Sequence, residues 1–127
     1  DAGPLAGLWT ALASAPSSQV LVLACDLPLV TAPLLGELVA VLEQHPEADA
    51  AVPRDSRGRH PLCGCYRTRC APLLSARVRA GRLKVLDALT DLTVVDVGPD
   101  RLRELDPGGR ALTNVNTPED YAALGPA

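Results

Sequence analysis

Val20-Leu21-Val22-Leu23-Ala24-Cys25 is an uninterrupted apolar run, closed at once by Asp26, Leu27 and Pro28. A short run of this kind, partly β-branched and bounded by turn residues, reads as a central strand covered on both faces. Strands of that type belong to parallel sheets sandwiched between helices. The flanking segments agree. Leu5, Leu8, Trp9 and Leu12 recur at helical spacing, which predicts an amphipathic helix from about Leu5 to Ser14. Ala15-Pro16-Ser17-Ser18 breaks it, and Thr31 is placed to cap a further helix over Leu34 to Leu42.

The same alternation continues downstream. Ala48 to Val52 is a second apolar run, and Arg54-Asp55-Ser56-Arg57-Gly58-Arg59 reads as a charged, flexible loop. Leu62 to Tyr66 predicts a strand, Arg69 to Ala80 a helix stopped by Gly81, and Lys84 to Leu89 a further helical turn or two. Leu92 to Val97 is a third strand, followed by a polar connection from Gly98 to Gly109. Thr117 then caps a last helix starting at Pro118, with Asp120 in a capping-box position. The expected fold class is α/β: a Rossmann-like three-layer sandwich with a mostly parallel sheet. No internal repeat or linker divides residues 1–127, so one domain is expected.

Composition narrows the partners. Aromatic residues make up 2% of the chain, so Leu, Val and Ala must fill the core. A net charge of -3 argues against a nucleic acid partner, which needs a basic face. No apolar run approaches the roughly 20 residues of a membrane helix. The start, Asp1-Ala2-Gly3-Pro4, lacks the pattern of a secretory signal, and without a Met there the chain reads as a processed piece or a fragment of a longer frame. Cys25, Cys63, Cys65 and Cys70 show no zinc spacing; they are expected as reduced thiols in a cytoplasmic protein, with Cys25, Cys63 and Cys65 as small core residues.

Neither GxGxxG nor GxxxxGK[ST] occurs, so any nucleotide chemistry must rest on other groups. Asp26 directly follows the first apolar run. Ligands of open α/β sheets bind outside the carboxyl ends of strands, and a carboxylate there suits Mg²⁺ completed by phosphate oxygens. It could equally just begin the turn before Pro28. Asn114 and Asn116 flank Val115, so in an extended segment both amides point the same way. They could ligate a metal or bond a ribose or phosphate, or Asn116 could help form the turn that Thr117 caps. His60, beside Arg59, could be a proton donor, a phosphate contact or a solvated loop side chain. Arg82 and Lys84 could hold an anion or serve a helix end.

These segments together resemble the molybdenum cofactor guanylyltransferase family, MobA. The resemblance is carried by Gly3-Pro4-Leu5-Ala6-Gly7-Leu8, Ala24-Cys25-Asp26-Leu27-Pro28, Arg59-His60-Pro61-Leu62, Ala80-Gly81-Arg82 with Lys84-Val85, and Asn114-Val115-Asn116-Thr117-Pro118-Glu119-Asp120. Cys25-Asp26-Leu27-Pro28 leans toward guanylyl transfer, since the related cytidylyltransferase branch shows GDQP there. The resemblance implies GMP transfer from Mg-GTP to the phosphate of a molybdopterin cofactor, with Mg²⁺ as cofactor and pyrophosphate released. Contact with molybdenum cofactor biosynthesis or acceptor proteins is expected with it. It also implies that Asp26 binds metal and nucleotide as the catalytic carboxylate, and that Asn114 and Asn116 lie at the active-site cleft. Arg59, His60, Arg82 and Lys84 match segments around the molybdopterin pocket. Family members open with a strand and a glycine-rich loop, LAGG and an RMG-x-DK-like run. This chain starts after them and is expected to be the C-terminal portion of such a domain. Two other readings remain: a related transferase with another base or acceptor, and a non-catalytic remnant with an exposed apolar sheet edge.

Overall fold

Leu34, Leu38 and Leu42 recur every fourth residue and are fully buried, and that stripe organises one face of the molecule. The computed structural model describes residues 3–113 and residue 119. In chain order the elements are α1 (Gly3–Ser14), β1 (Gln19–Leu23), α2 (Ala32–Gln44), β2 (Ala50–Asp55), β3 (Gly58–Arg59) and β4 (Cys63–Arg67). A single 3₁₀ turn, Thr68–Cys70, leads to α3 (Ala71–Arg79), α4 (Val85–Leu89), β5 (Val94–Val97) and α5 (Pro99–Leu105). Thr31 caps α2 as expected, its hydroxyl accepting from Leu34 N at 3.5 Å.

The spatial order of the sheet is β1-β4-β2, with β5 on the far side of β2 and β3 folded onto the outer end of β2. Residue alternation then sorts the two faces. Ala51, Cys63 and Cys65 face α2 and α5, in a core with Leu27, Leu34, Leu38, Leu42 and Val97. Ala50, Val52 and Tyr66 face α1, α3 and α4, in a core with Leu5, Leu8, Leu12, Leu74 and Leu89. This is the expected three-layer α/β sandwich.

The pairing within the sheet differs from the expectation of a mostly parallel one. Among the described residues only β2 and β5 run parallel, from Ala50↔Val94 to Pro53↔Val97. The β1–β4, β2–β4 and β2–β3 pairs are antiparallel. The cause lies in the connections. Ser56 and Arg57 alone join β2 to β3, and three residues join β3 to β4, too few for a crossover. The Arg54–Arg59 segment is therefore a hairpin, with Gly58 supplying a φ of +111°, rather than a flexible loop.

β1 also departs from the expected central strand. It pairs with β4 only, among the described residues, and leaves Leu21 and Leu23 43% and 46% exposed. Cys25 is exposed rather than part of the core, whereas Cys63, Cys65 and Cys70 are buried, and all four are free thiols. The Gly98–Gly109 connection contains α5. Its signals were Pro99 at the first turn and the Leu102/Leu105 spacing, and both leucines pack on the α2 core.

Candidate functional site

β3 and β4 act as one return limb along β2, interrupted by a bulge. Between the Arg54↔Arg59 and Ala51↔Cys65 pairs, two residues of β2 face five of the limb. The extra length is His60-Pro61-Leu62. His60 N donates to Pro53 O at 2.9 Å, Cys63 N to His60 O at 3.2 Å, and Ala24 N to Leu62 O at 2.8 Å. The last bond ties the bulge to the chain leaving β1. Bulges re-aim side chains in this way.

Where the bulge meets the end of β1 lies a cavity of about 170 Å³, lined by Ala24, Asp26, Leu27, Arg59, His60, Pro61 and Leu62. The structure thus brings together Asp26, Arg59 and His60, which are far apart in sequence. A turn does form here, Leu27 N donating to Ala24 O at 3.2 Å, so both readings of Asp26 apply to one place. The turn uses backbone groups, and the half-buried Asp26 carboxylate has no hydrogen-bond or ion-pair partner among the described residues. The volume equals roughly five or six waters, room for a cation and a phosphate but not a nucleoside.

Arg59 reaches this cavity with its guanidinium already engaged. Nε donates to Asp96 Oδ1 at 2.8 Å and Nη2 to Oδ2 at 3.3 Å, a two-pronged grip that holds the hairpin to β5. Arg54 Nε stands 3.6 Å from the same carboxylate. His60 is only 17% exposed at its side chain, which excludes the solvated loop histidine. Its Nε2 is 2.9 Å from Asp55 Oδ1. The nitrogen is buried and makes no aligned hydrogen bond, so the contact is a close polar approach of the ring to the carboxylate. Burial pushes Asp55 up, but His60 and the Arg57 guanidinium and backbone N–H outweigh it and bring the carboxyl down to about 2. Sequence reasoning missed Asp55 and Asp96. A lone carboxylate inside the apolar Val94–Val97 strand was the available signal for Asp96.

Arg82 and Lys84 line a different cavity of about 500 Å³, with Arg77, Gly81, Leu83, Asp87 and Thr90. It shares no residue with the Asp26 cavity. Gly81, at φ +75°, turns the chain there out of α3. α3 starts beside the amino end of β1 and spans about 13 Å. Arg77 Nε holds Asp91 at 2.6 Å, while Arg82 and Lys84 are exposed and enter no salt bridge among the described residues. Asn114 and Asn116 lie outside the described residues, as do Thr117 and the start of the last predicted helix.

No group of three or more His, Cys, Asp or Glu side chains is set to hold a metal among the described residues. A cation at Asp26 would therefore rest on one carboxylate and complete its shell with phosphate oxygens and water, which is how Mg²⁺ is commonly held. No helix among the described residues is long and apolar enough to cross a membrane.

Residues 1–97 match the family model described as MobA-like NTP transferase domain. A probable molybdenum cofactor guanylyltransferase from Nostoc sp. is 40% identical over 123 residues, covering 96% of this chain and 56% of that protein. A molybdenum cofactor guanylyltransferase from Desulfosudis oleivorans is 30% identical over 118 residues, covering 93% and 57%. Among solved structures, molybdopterin-guanine dinucleotide biosynthesis protein A from Archaeoglobus fulgidus superposes with a TM-score of 0.82 at 29% identity, covering 95% of this chain and 60% of that one. The chain thus spans less than two thirds of the length of these relatives.

Proposed function

The chain belongs to the MobA-like NTP transferase domain family, and from that premise we propose that it is part of a nucleotidyltransferase moving GMP from Mg-GTP to the phosphate of a molybdopterin cofactor. The observation that carries this reading is the unpartnered Asp26 carboxylate at the end of β1, in a phosphate-sized cavity that it shares with His60 and Arg59. In the reaction an oxygen of the acceptor phosphate bonds to the α-phosphorus of GTP. The bond from that phosphorus to the bridging oxygen breaks, and pyrophosphate leaves with the electron pair. Mg²⁺, when bound, supplies charge that offsets the build-up on the phosphate oxygens. Asp26 is the residue that would hold it. His60 contributes a ring edge to the phosphates, and Arg59, fixed by Asp96, keeps the hairpin wall in place. No side-chain nucleophile is required. The acceptor phosphate is already anionic at neutral pH.

Arg82 and Lys84 supply a second, basic wall, which the reading gives to the anionic acceptor. Asn114 and Asn116 join the reading from sequence alone, as groups toward the pterin or the metal. Contact with cofactor biosynthesis or acceptor proteins follows from handing on such a product. The reading sets this in the cytoplasm, where free thiols stay reduced. Calorimetric binding of Mg-GTP, with Mg-CTP in comparison, tests it. Selective GTP binding that Asp26→Ala abolishes is expected. Equal affinity for both nucleotides would favour a transferase with another base, and unchanged affinity in Asp26→Ala would sink the metal role.

A further inference from the structure

The Asp55 carboxylate sits at the tip of the hairpin, between a residue of the Asp26 cavity and a residue that braces the hairpin to the rest of the fold. Oδ1 lies 2.9 Å from His60 Nε2 and accepts from Arg57 N at 2.8 Å. Oδ2 accepts from Arg57 Nη2 at 3.0 Å. The same Nη2 donates to Leu112 O at 3.3 Å. Leu112 is buried in the α2 core, and its neighbour Ala111 is held by Asp106 Oδ2 at 2.9 Å. The hairpin tip is therefore braced across to a fixed part of the core. The His60 backbone is fixed in turn by Pro53 O and by Cys63 N.

We propose that Asp55 is a positioning residue, whose carboxylate holds the His60 ring against the Asp26 cavity while Arg57 braces that carboxylate to the Leu112 backbone. The proposal rests on the reading that the Asp26 cavity takes nucleotide phosphate. The physical argument is one of orientation. The bulge fixes the His60 backbone but leaves the ring free to turn about its side-chain bonds. Attraction to a carboxylate on one side selects the orientation in which Nε2 faces Asp55, so a ligand in the cavity meets Nδ1 or the ring edge. A residue that only closed the turn would need one oxygen for Arg57 N, and Asn meets that need as well as Asp. Asn cannot supply the charge that attracts the imidazole and the guanidinium. Asp55→Asn therefore separates positioning from turn formation.

The experiment compares wild type, Asp55→Asn and Arg57→Ala by ¹⁵N NMR of the histidine rings at one pH. His45, whose Nδ1 is bonded to Val41 O on the other side of the molecule, is the internal control. Asp55→Asn is expected to redistribute the His60 tautomers and leave His45 unchanged, with a smaller change of the same sign in Arg57→Ala. Unaltered His60 signals in folded Asp55→Asn would overturn the proposal. Should that variant fail to fold, unaltered signals in Arg57→Ala would do so instead. Calorimetry with Mg-GTP then reads the consequence, and Asp55→Asn is expected to weaken binding about tenfold. Equal affinity in a variant whose His60 ring has moved would refute positioning for the nucleotide. A wild type that does not bind Mg-GTP would refute nucleotide binding by this chain on its own, while the ring signals still decide whether Asp55 orients His60.

Discussion

Replacing Gly64 by alanine adds a single methyl group where the sheet has no room for it. A Cβ at Gly64 would stand 2.9 Å from Tyr66 Cε1, 2.9 Å from Val52 Cγ1 and 3.1 Å from Ala51 O. Carbon atoms rest about 3.5–4.0 Å apart, so the surroundings must open by roughly 0.6 Å or more. Neither neighbour can swing away, because Tyr66 and Val52 are fully buried and the Tyr66 hydroxyl is tied to Pro61 O. Overpacking of this kind costs about 1–3 kcal/mol. The loss of glycine's freedom in the unfolded chain returns about 0.4–1 kcal/mol. The net expectation is a destabilisation of about 1–2 kcal/mol. For a domain of this size it lowers the thermal midpoint by roughly 3–10 °C. Circular dichroism melts and urea titrations of Gly64→Ala measure it. Adding Val52→Ala makes room for the new methyl group, so the double variant should be less destabilised than the sum of the two singles. A midpoint for Gly64→Ala at or above wild type, or strict additivity with Val52→Ala, would refute the packing argument.

Three more expectations concern charge and thiols. Arg67 donates to Leu42 O at 2.7 Å, Ala48 O at 2.8 Å and His45 O at 3.3 Å, closing the end of α2, so Arg67→Met should lose about 2–3 kcal/mol in urea unfolding. The folded structure holds the Asp55 carboxyl down to about 2 from its ordinary 3.8, so its contribution is fully present above about pH 4 and fades as pH falls toward 2. That contribution is at most about 2 kcal/mol, and Asp55→Asn should lower stability by up to that amount above about pH 4 and flatten the profile between about pH 4 and 2. Cys25 is exposed, whereas burial pushes the Cys63 thiol up to about 11 and the Cys70 thiol up to about 12, and Cys65 upward as well. A thiol reagent at pH 8 should therefore modify one cysteine in the folded chain and four after unfolding; fast modification of more than one native thiol would contradict the buried placement.

Much of the fold was legible in the residues themselves. Leu5, Leu8 and Leu12, the Leu34–Leu42 stripe and the capping Thr31 are local patterns, and local patterns specify helices through spacing and capping alone. The strands at Ala50, Cys63 and Val94 were legible for the same reason. What a local pattern cannot state is who pairs with whom. The Val20–Cys25 run looks like a central parallel strand by composition, yet β1 meets β4 head to tail and keeps Leu21 and Leu23 exposed. The Arg54–Arg59 charges looked like solvent-facing loop, because the carboxylate that grips Arg59 is 37 residues away on β5.

The candidate site divides along the same line. Asp26 at a strand end was a reading of sequence, since the chemistry of a carboxylate and the end of an apolar run are both local. That Asp26 shares a cavity with His60 and Arg59, that Arg82 and Lys84 line another, and that Asp55 faces His60 were decided by tertiary structure. Those contacts depend on register and on a three-residue bulge, which are set by the packing of the whole sheet between two helical layers and not by any stretch of residues alone.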